Sequence, residues 1–464
     1  MDLDGQHRLV VSEPAPAETA PEAARGTAGA KAVVVVGAGP AGLMAAEILA
    51  GQGHRVAVYD RMPSPARKLL MAGRGGLNLT HSEPLERFLE RYEPVAPALR
   101  RAVEAFPPAK LVAWAEGLGC PTFVGSSGRI FPKTMKASPL LRAWLQRLSG
   151  LGVTLHLGHR LTGIGRGPHS GPDATFQTTD GSTRVIAADA LVLALGGASW
   201  PRLGSDGAWT GFVEGMGVPV TPLASANAGL AVAWSDHVRS RFSGTPLKRV
   251  ALTIEGTAER FTGDLVLTRT GLEGGPAYAA ARAVRHALAR GGSATAALDL
   301  RPDVETGQLA AALTKRRPKQ SAATHLARAA RLSPAAIALL REPATASGPL
   351  AASDEMVVPL PTEAVELARR IKALPLRIDG LAGLERAIST AGGLAFEGLD
   401  GNFMLRGAPG VFAAGEMLDW EGPTGGYLLQ ATFATAVAAA QGVGRWLADT
   451  QAGPSAAHDP VTRL

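Results

Sequence analysis

Residues 31–60 read KAVVVVGAGPAGLMAAEILAGQGHRVAVYD, and no other stretch restricts the possible folds as tightly. Val33–Val36 is a β-branched run of the kind a parallel strand buries on both faces. Gly37-Ala38-Gly39-Pro40-Ala41-Gly42 then fits G-x-G-x-x-G, and Leu43–Ala50 is rich in helix formers. Arg55–Tyr59 reads as a second strand ending at Asp60, 18 residues after Gly42 and near the spacing of a ribose-binding acid. Gly37 permits the tight turn, Gly39 lets backbone approach a pyrophosphate, and Gly42 lets helix and strand pack closely. The helix start offers unpaired N–H groups and a positive dipole end to phosphates. The unit predicts an α/β protein with a dinucleotide site.

Composition narrows the chemistry. With one cysteine, Cys120, the chain has no disulfide framework, Cys-based zinc site or CxxC pair, so redox work needs a cofactor. His54, His156 and His159 do not converge on a metal motif, and no metal is expected. The formal charge is +7; the first thirty residues carry −3, which leaves +10 on the remainder, a balance that attracts polyanions or simply solvates the surface. Residues 1–30 are rich in Ala, Pro and Glu and lack a signal-peptide pattern, so a disordered tail is expected. No apolar run reaches the ~18 residues of a membrane span, so a soluble, cytoplasmic protein is expected.

Two further clusters favour FAD over NAD as the bound dinucleotide. RKLLMAGRGGLNLT (67–80) places Lys68 and Arg74 beside Gly73, Gly75 and Gly76, which suits a second phosphate-contacting loop or a basic surface loop. Near the end, Gly410–Ala414 is a short strand running into Gly415-Glu416, and a helix begins at Gly425-Gly426. An acid there can hold a ribityl chain, and the helix start can face the flavin edge that gains negative charge on reduction. Between them, ADALVLAL (188–195) is a strand leading to Gly196-Gly197 at the cofactor.

GAGPAGLMAAEILA, RKLLMAGRGGLNLT, FPKTMKASPLLRAWL, LALGGASWPRLGSDGAW and GEMLDWEGPTGGYLLQ together resemble the BaiN/RdsA-like NAD(P)/FAD-dependent oxidoreductases, also labelled aminoacetone-oxidase-like. The resemblance spans about residues 31–450 and looks closest to the flavoprotein branch in which GEMLDWE and PTGGYLL occur. It departs at Arg74-Gly75-Gly76-Leu77-Asn78, where much of the family has a Gly-Gly-Arg-Cys-Asn type of sequence; with Leu77 in place of that cysteine, no thiol role is expected in this loop. The resemblance implies a tightly bound FAD in a Rossmann-type domain interrupted by an inserted antiparallel β-barrel-like domain with a small helical subdomain. It also implies NAD(P)H-driven reduction of activated C=C bonds, reduction of uracil in ribosomal RNA, or oxidation of small amino ketones.

The expected organisation is a tail at 1–30, FAD-binding parts at 31–205 and 376–450, an inserted domain at 206–375 and a tail at 451–464. RVALTI (249–254) and GDLVLT (263–268) are barrel strands, Ala277–Arg290 a helix, and about 301–372 a basic helical excursion. Its densest cluster, TKRRPKQ (314–320), is either an RNA contact or a solvated helix end.

The expected cofactor residues are Gly37, Ala38, Gly39, Pro40, Ala41, Gly42, Asp60, Arg61, Lys68, Gly73, Arg74, Gly75, Gly76, Asn78, Gly196, Gly197, Gly415, Glu416, Gly425, Gly426, Tyr427 and Leu428. Asn78, Thr270, Glu273, Thr424, Glu421 and Tyr427 are candidates near the flavin ring, with Asn78, Glu421 and Tyr427 as the catalytic choices. Asp419 and Glu421 suit acid–base work or helix capping equally, and Tyr427 suits proton donation or packing. The expected activity is a reductase that draws on NADH or NADPH as transient reductant and acts on a small molecule or RNA; a flavin oxidase and a non-catalytic FAD- or RNA-binding protein are the alternatives.

Overall fold

The computed structural model describes residues 18–19, 29–167, 171–317, 319–342 and 358–451. All but the first residue of the expected tail at 451–464, most of 1–30 and residues 343–357 of the helical excursion lie outside them.

The chain opens with β1 (Ala32–Val36), α1 (Pro40–Gly51) and β2 (Arg55–Asp60). α2 (Arg67–Ala72), α3 (Ala137–Gly150), β3 (Thr154–Leu157) and β4 (Ala190–Leu193) follow. β5 (Val411–Ala413) and α4 (Tyr427–Gln451) come after a long excursion. The five strands form one parallel sheet in the order β5-β4-β1-β2-β3. Val34 and Val35 are fully buried, as a strand covered on both faces requires. α1 starts at Pro40 because proline's fixed φ suits the first helical position and its missing N–H has no partner to lose there.

Val220–Ala226 leaves this domain and pairs antiparallel with the returning Ser389–Leu394. The cores separate at this crossing. One holds Val33 through Val218 and resumes at Leu394; the other runs from Leu230 to Ile378. Trp209, Val213 and Val218 thus pack with the first domain, beyond the expected boundary at 205.

The inserted domain is a seven-stranded antiparallel sheet. Its spatial order is Leu374–Ile378, Ala294–Asp299, Pro246–Ile254, Arg260–Thr268, Gly271–Gly274, Leu230–Ala231 and Gly380–Leu381. Only Asp379 separates the two edge strands in sequence, so the sheet must curl until its edges nearly meet. The helix Gly275–Gly291 covers it, and helices Thr306–Leu313, Ala322–Ala329, Pro334–Leu339 and Ala364–Lys372 form the basic excursion. No helix among the described residues is long and apolar enough to cross a membrane.

Candidate functional site

Strands β1, β2, β4 and β5 run parallel, so the turns that follow them gather at one edge of the sheet. At the end of β1, Gly37 has φ +107°, and a Cβ on it would lie 2.3 Å from Ala194 O. Gly39 caps α1 with bare backbone: a Cβ there would meet nothing within 4 Å. At the end of β2, Asp60 Oδ2 accepts from Ala38 N–H at 2.6 Å and Oδ1 from Met62 N–H at 2.7 Å. Burial pushes the Asp60 carboxyl above its usual range, against the pull of these hydrogen bonds and of Arg61 and Arg67.

A single cavity of about 610 Å³ joins this end to the β5–α4 turn, within the usual range for cofactor sites. Of the expected residues, Gly37, Gly39, Pro40, Ala41, Asp60, Arg61, Lys68, Arg74, Gly76, Asn78, Gly196, Glu416, Gly425, Gly426 and Leu428 line it. Ala38, Gly42, Gly73, Gly75, Gly197, Gly415 and Tyr427 do not. Several of these shape its walls from behind: Ala38 holds Asp60, Gly197 passes Thr390, and Gly73 packs against Ala137 of α3.

Across the cavity, Lys68 of α2 donates to Glu416 Oε2 at 2.5 Å and also to Ser199 Oγ. Glu416 Oε1 accepts from Thr390 N–H at 3.1 Å, while Thr390 Oγ1 accepts from Ala198 and Ser199 N–H at 2.8 and 3.1 Å. One network therefore fastens four chain segments around the cavity. Arg61, which lines the cavity, also pairs with Asp206 and donates to Pro201 O at 3.1 Å, tying the end of β2 to the loop after Gly197. That loop contributes Trp200, Leu203, Gly204, Ser205 and Asp206 to the wall.

The expected acid–base residues sit elsewhere. Glu421 pairs with Arg285, and its backbone exchanges hydrogen bonds with Glu93 at 2.7 and 2.9 Å. The Tyr427 hydroxyl donates to Glu83, and its ring packs on His81 and Phe88. Burial, then the Glu83 hydrogen bond, raises the Tyr427 pKa, which weakens it as a proton donor. Neither residue lines the cavity, nor do Thr270 and Glu273, the latter paired with Arg386 at 2.7 Å. Asp419 accepts from Thr221 Oγ1 at 2.6 Å. Among the flavin-ring candidates Asn78 and Thr424 face the cavity.

A dinucleotide cofactor fits these walls. The N-terminus of α1 and Gly39 leave N–H groups and open space for a pyrophosphate. Asn78 Oδ1 and Ser205 Oγ are buried, border the cavity and have no hydrogen-bond partner in the protein, the condition of polar groups awaiting a ligand. Among the described residues, no group of three or more His, Cys, Asp or Glu could hold a metal.

The return strand Ser389–Leu394, which sequence reading also expects beside the flavin, supplies Thr390 to this network, whereas Ser199, Ser205, Asp206, His159 and Asn227 are not singled out by it as site residues. Asn227 binds the 422–424 turn through Gly422 O at 2.8 Å and Thr424 N–H at 3.2 Å. No short motif marks Ser199, Asp206 or Asn227, because they join Lys68, Arg61 and Thr424 across 131, 145 and 197 residues. His159 reaches the wall from the strand His159–Arg166, through the neighbourhood of Tyr59.

The family model described as "HI0933-like protein Rossmann domain" matches residues 31–442. The chain is 26% identical over 405 residues to a protein named 3-dehydro-bile acid delta(4,6)-reductase from Clostridium scindens, covering 86% of this chain and 96% of that protein. It is also 26% identical over 418 residues to a protein named ribosomal RNA dihydrouridine synthase from Escherichia coli, covering 88% and 96%. Among solved structures, a flavocytochrome c3 fumarate reductase in its open conformation aligns with TM-score 0.46 and 16% identity over 90% of this chain and 78% of that one.

Proposed function

The chain belongs to the HI0933-like Rossmann family, and on that premise we propose that this FAD-dependent oxidoreductase is a NAD(P)H-driven reductase of activated C=C bonds. The observation that carries the reading is the single cavity running from Gly37, Gly39 and Asp60 to Glu416, Gly425 and Gly426. Bound FAD would supply two-electron chemistry, the transfer of a hydride from a nicotinamide to an electron-poor alkene carbon.

The chain's own residues do the rest. Gly39 and the start of α1 would hold the pyrophosphate, and Asp60 the adenosine ribose. Glu416, held by Lys68 and Thr390, meets the ribityl chain. The start of α4 would offer its positive end to the ring edge that becomes negative on reduction. Asn78, which lines the cavity with its Oδ1 unpartnered, would orient the acceptor. With Tyr427 turned to Glu83 and Glu421 held by Arg285, the proton that completes reduction comes from solvent through the cavity mouth.

The acceptor is an α,β-unsaturated carbonyl, in a small enone or in a uracil of ribosomal RNA. This reading draws support from a full-length relative named as a reductase. For an RNA acceptor, Lys315, Arg316, Arg317 and Lys319, exposed in the turn after Leu313, supply phosphate contacts. Anaerobic mixing of the holoprotein with NADH and NADPH tests the proposal. Prompt bleaching of the flavin band supports it; bleaching only by an amine, with peroxide released in air, overturns it in favour of an oxidase.

A further inference from the structure

The sequence holds one G-x-G-x-x-G fingerprint, and FAD takes it. On the reductase reading above, a second dinucleotide must therefore find another surface. We infer that it is the outer face of the small sheet Thr80–His81, Arg129–Pro132 and Thr122–Val124, at the mouth of the cavity.

Charge is the first reason. Residues 67–81 and 121–136 contain no Asp or Glu, and they pack together through Leu77 N–H to Met135 O and Leu79 N–H to Ile130 O, both 2.9 Å. Of their cations, Lys68 is committed to Glu416 and Arg67 donates to Ser64. Arg74, Arg129, Lys133 and Lys136 are exposed and have no acidic partner among the described residues. The adjoining acids are already engaged: Glu83 by Arg91 and Tyr427, Glu116 by Thr122. Such a one-signed rim concentrates anions at the opening.

Shape is the second. Phe123 and Phe131 lie as a stacked pair, ring centroids 5.8 Å apart, and Phe123 is 39% exposed. Beside them Met135 is exposed as well. An aromatic pair with one ring exposed beside free cations suits a planar base with attached phosphates.

Continuity with the cavity is the third. Gly76 and Gly425 both line the cavity. A Cβ on Gly76 would lie 2.6 Å from Met135 Cε and 3.7 Å from the Phe131 ring; one on Gly425 would lie 3.6 Å from Arg129 Nε. A dinucleotide with its nicotinamide in the cavity thus emerges directly onto Phe131 and Arg129. The face offers one aromatic pair and a few cations, the dimensions of a base and a pyrophosphate. A nucleic acid is bound along a longer track of several nucleotides.

Anaerobic stopped-flow reduction of the holoenzyme by NADH and NADPH tests the assignment. F123A and the double variant R129Q/K133Q should each raise the half-saturating nucleotide concentration about tenfold, the loss expected for one stacking contact or one charge-assisted phosphate contact. Added salt should raise it in the parent and much less in R129Q/K133Q. Dithionite, which needs no docking surface, should reduce every variant alike, showing that the flavin site is intact. Parental half-saturation in both variants overturns the assignment. Loss of single-stranded RNA binding together with parental half-saturation also overturns it, in favour of a nucleic-acid face. Failure of either nucleotide to bleach the unsubstituted holoenzyme overturns the reductase reading itself, and the assignment with it.

Discussion

Lys68 Nζ stands 2.5 Å from Glu416 Oε2 although 348 residues separate them in sequence. Their side chains are 27% and 16% exposed, so the pair is largely withdrawn from water. It joins the loop after β2 to the turn after β5, the two halves of the cavity. Removing one partner leaves the other charge partly buried and alone. K68M should therefore weaken FAD binding at least about tenfold, measured by titrating apoprotein with FAD. The double variant K68M/E416Q should lose less than the two single losses combined, because the second change relieves the stranded carboxylate.

The glycines of the first turn separate folding from binding. G37A puts a methyl group 2.3 Å from Ala194 O at φ +107°, and strain of this kind costs on the order of 1–3 kcal/mol or more. Its apoprotein should melt several degrees lower. G39A meets nothing in the protein within 4 Å, so the apoprotein should melt close to the parent while FAD binding is lost. Thermal melts of both apoproteins, paired with FAD titration, check the contrast. Equal melting losses in the two variants would contradict it.

Asp60 predicts a pH dependence. Burial raises its folded-state pKa above the unfolded value. Its contribution to stability is therefore fully present below the ordinary carboxylate range and lost as pH rises through the raised pKa. D60N removes that titration. The stability of D60N apoprotein relative to the parent should improve as pH rises from about 4 to 7, although Asn cannot accept from both Ala38 and Met62 and starts lower. Urea melts of the two apoproteins across this range give the difference; a flat difference would contradict the assignment.

Tyr427 and Glu421 separate catalysis from scaffolding. Y427F loses the hydrogen bond to Glu83 and should cost roughly 1 kcal/mol of stability. Turnover should fall less than about threefold, whereas loss of a general acid lowers rates about 10²–10⁴-fold. E421Q should behave likewise, because its carboxylate faces Arg285 rather than the cavity.

Much of this site can be read from local sequence because backbone makes most of it. The Val33–Asp60 unit carries its strand, turn, helix and acid in unbroken order, and the structure places them accordingly. The GEMLDWEGPTGGYLLQ stretch likewise brings Glu416, Gly425 and Gly426 to the cavity wall. Side-chain direction is another matter. Asp419, Glu421 and Tyr427 sit within the same short stretch, yet they turn to Thr221, Arg285 and Glu83, partners supplied by distant segments. Arg61 is expected at the cofactor and lines the cavity, but its tie to Asp206 and Pro201 cannot be read from local sequence. Asn227 escapes motif reading for the same reason: its hydrogen bonds reach the 422–424 turn, 195 and 197 residues away.

The central claim is that the two glycine clusters build one FAD site. The measurement that tests it most directly is the identity and amount of flavin released when the protein, purified or reconstituted with excess FAD and desalted, is denatured. One FAD per chain in the parent, with substantial loss of flavin from both G39A at one end and K68M across the other, is the predicted result. FMN in place of FAD, no retained flavin, or full retention in either variant would contradict the account.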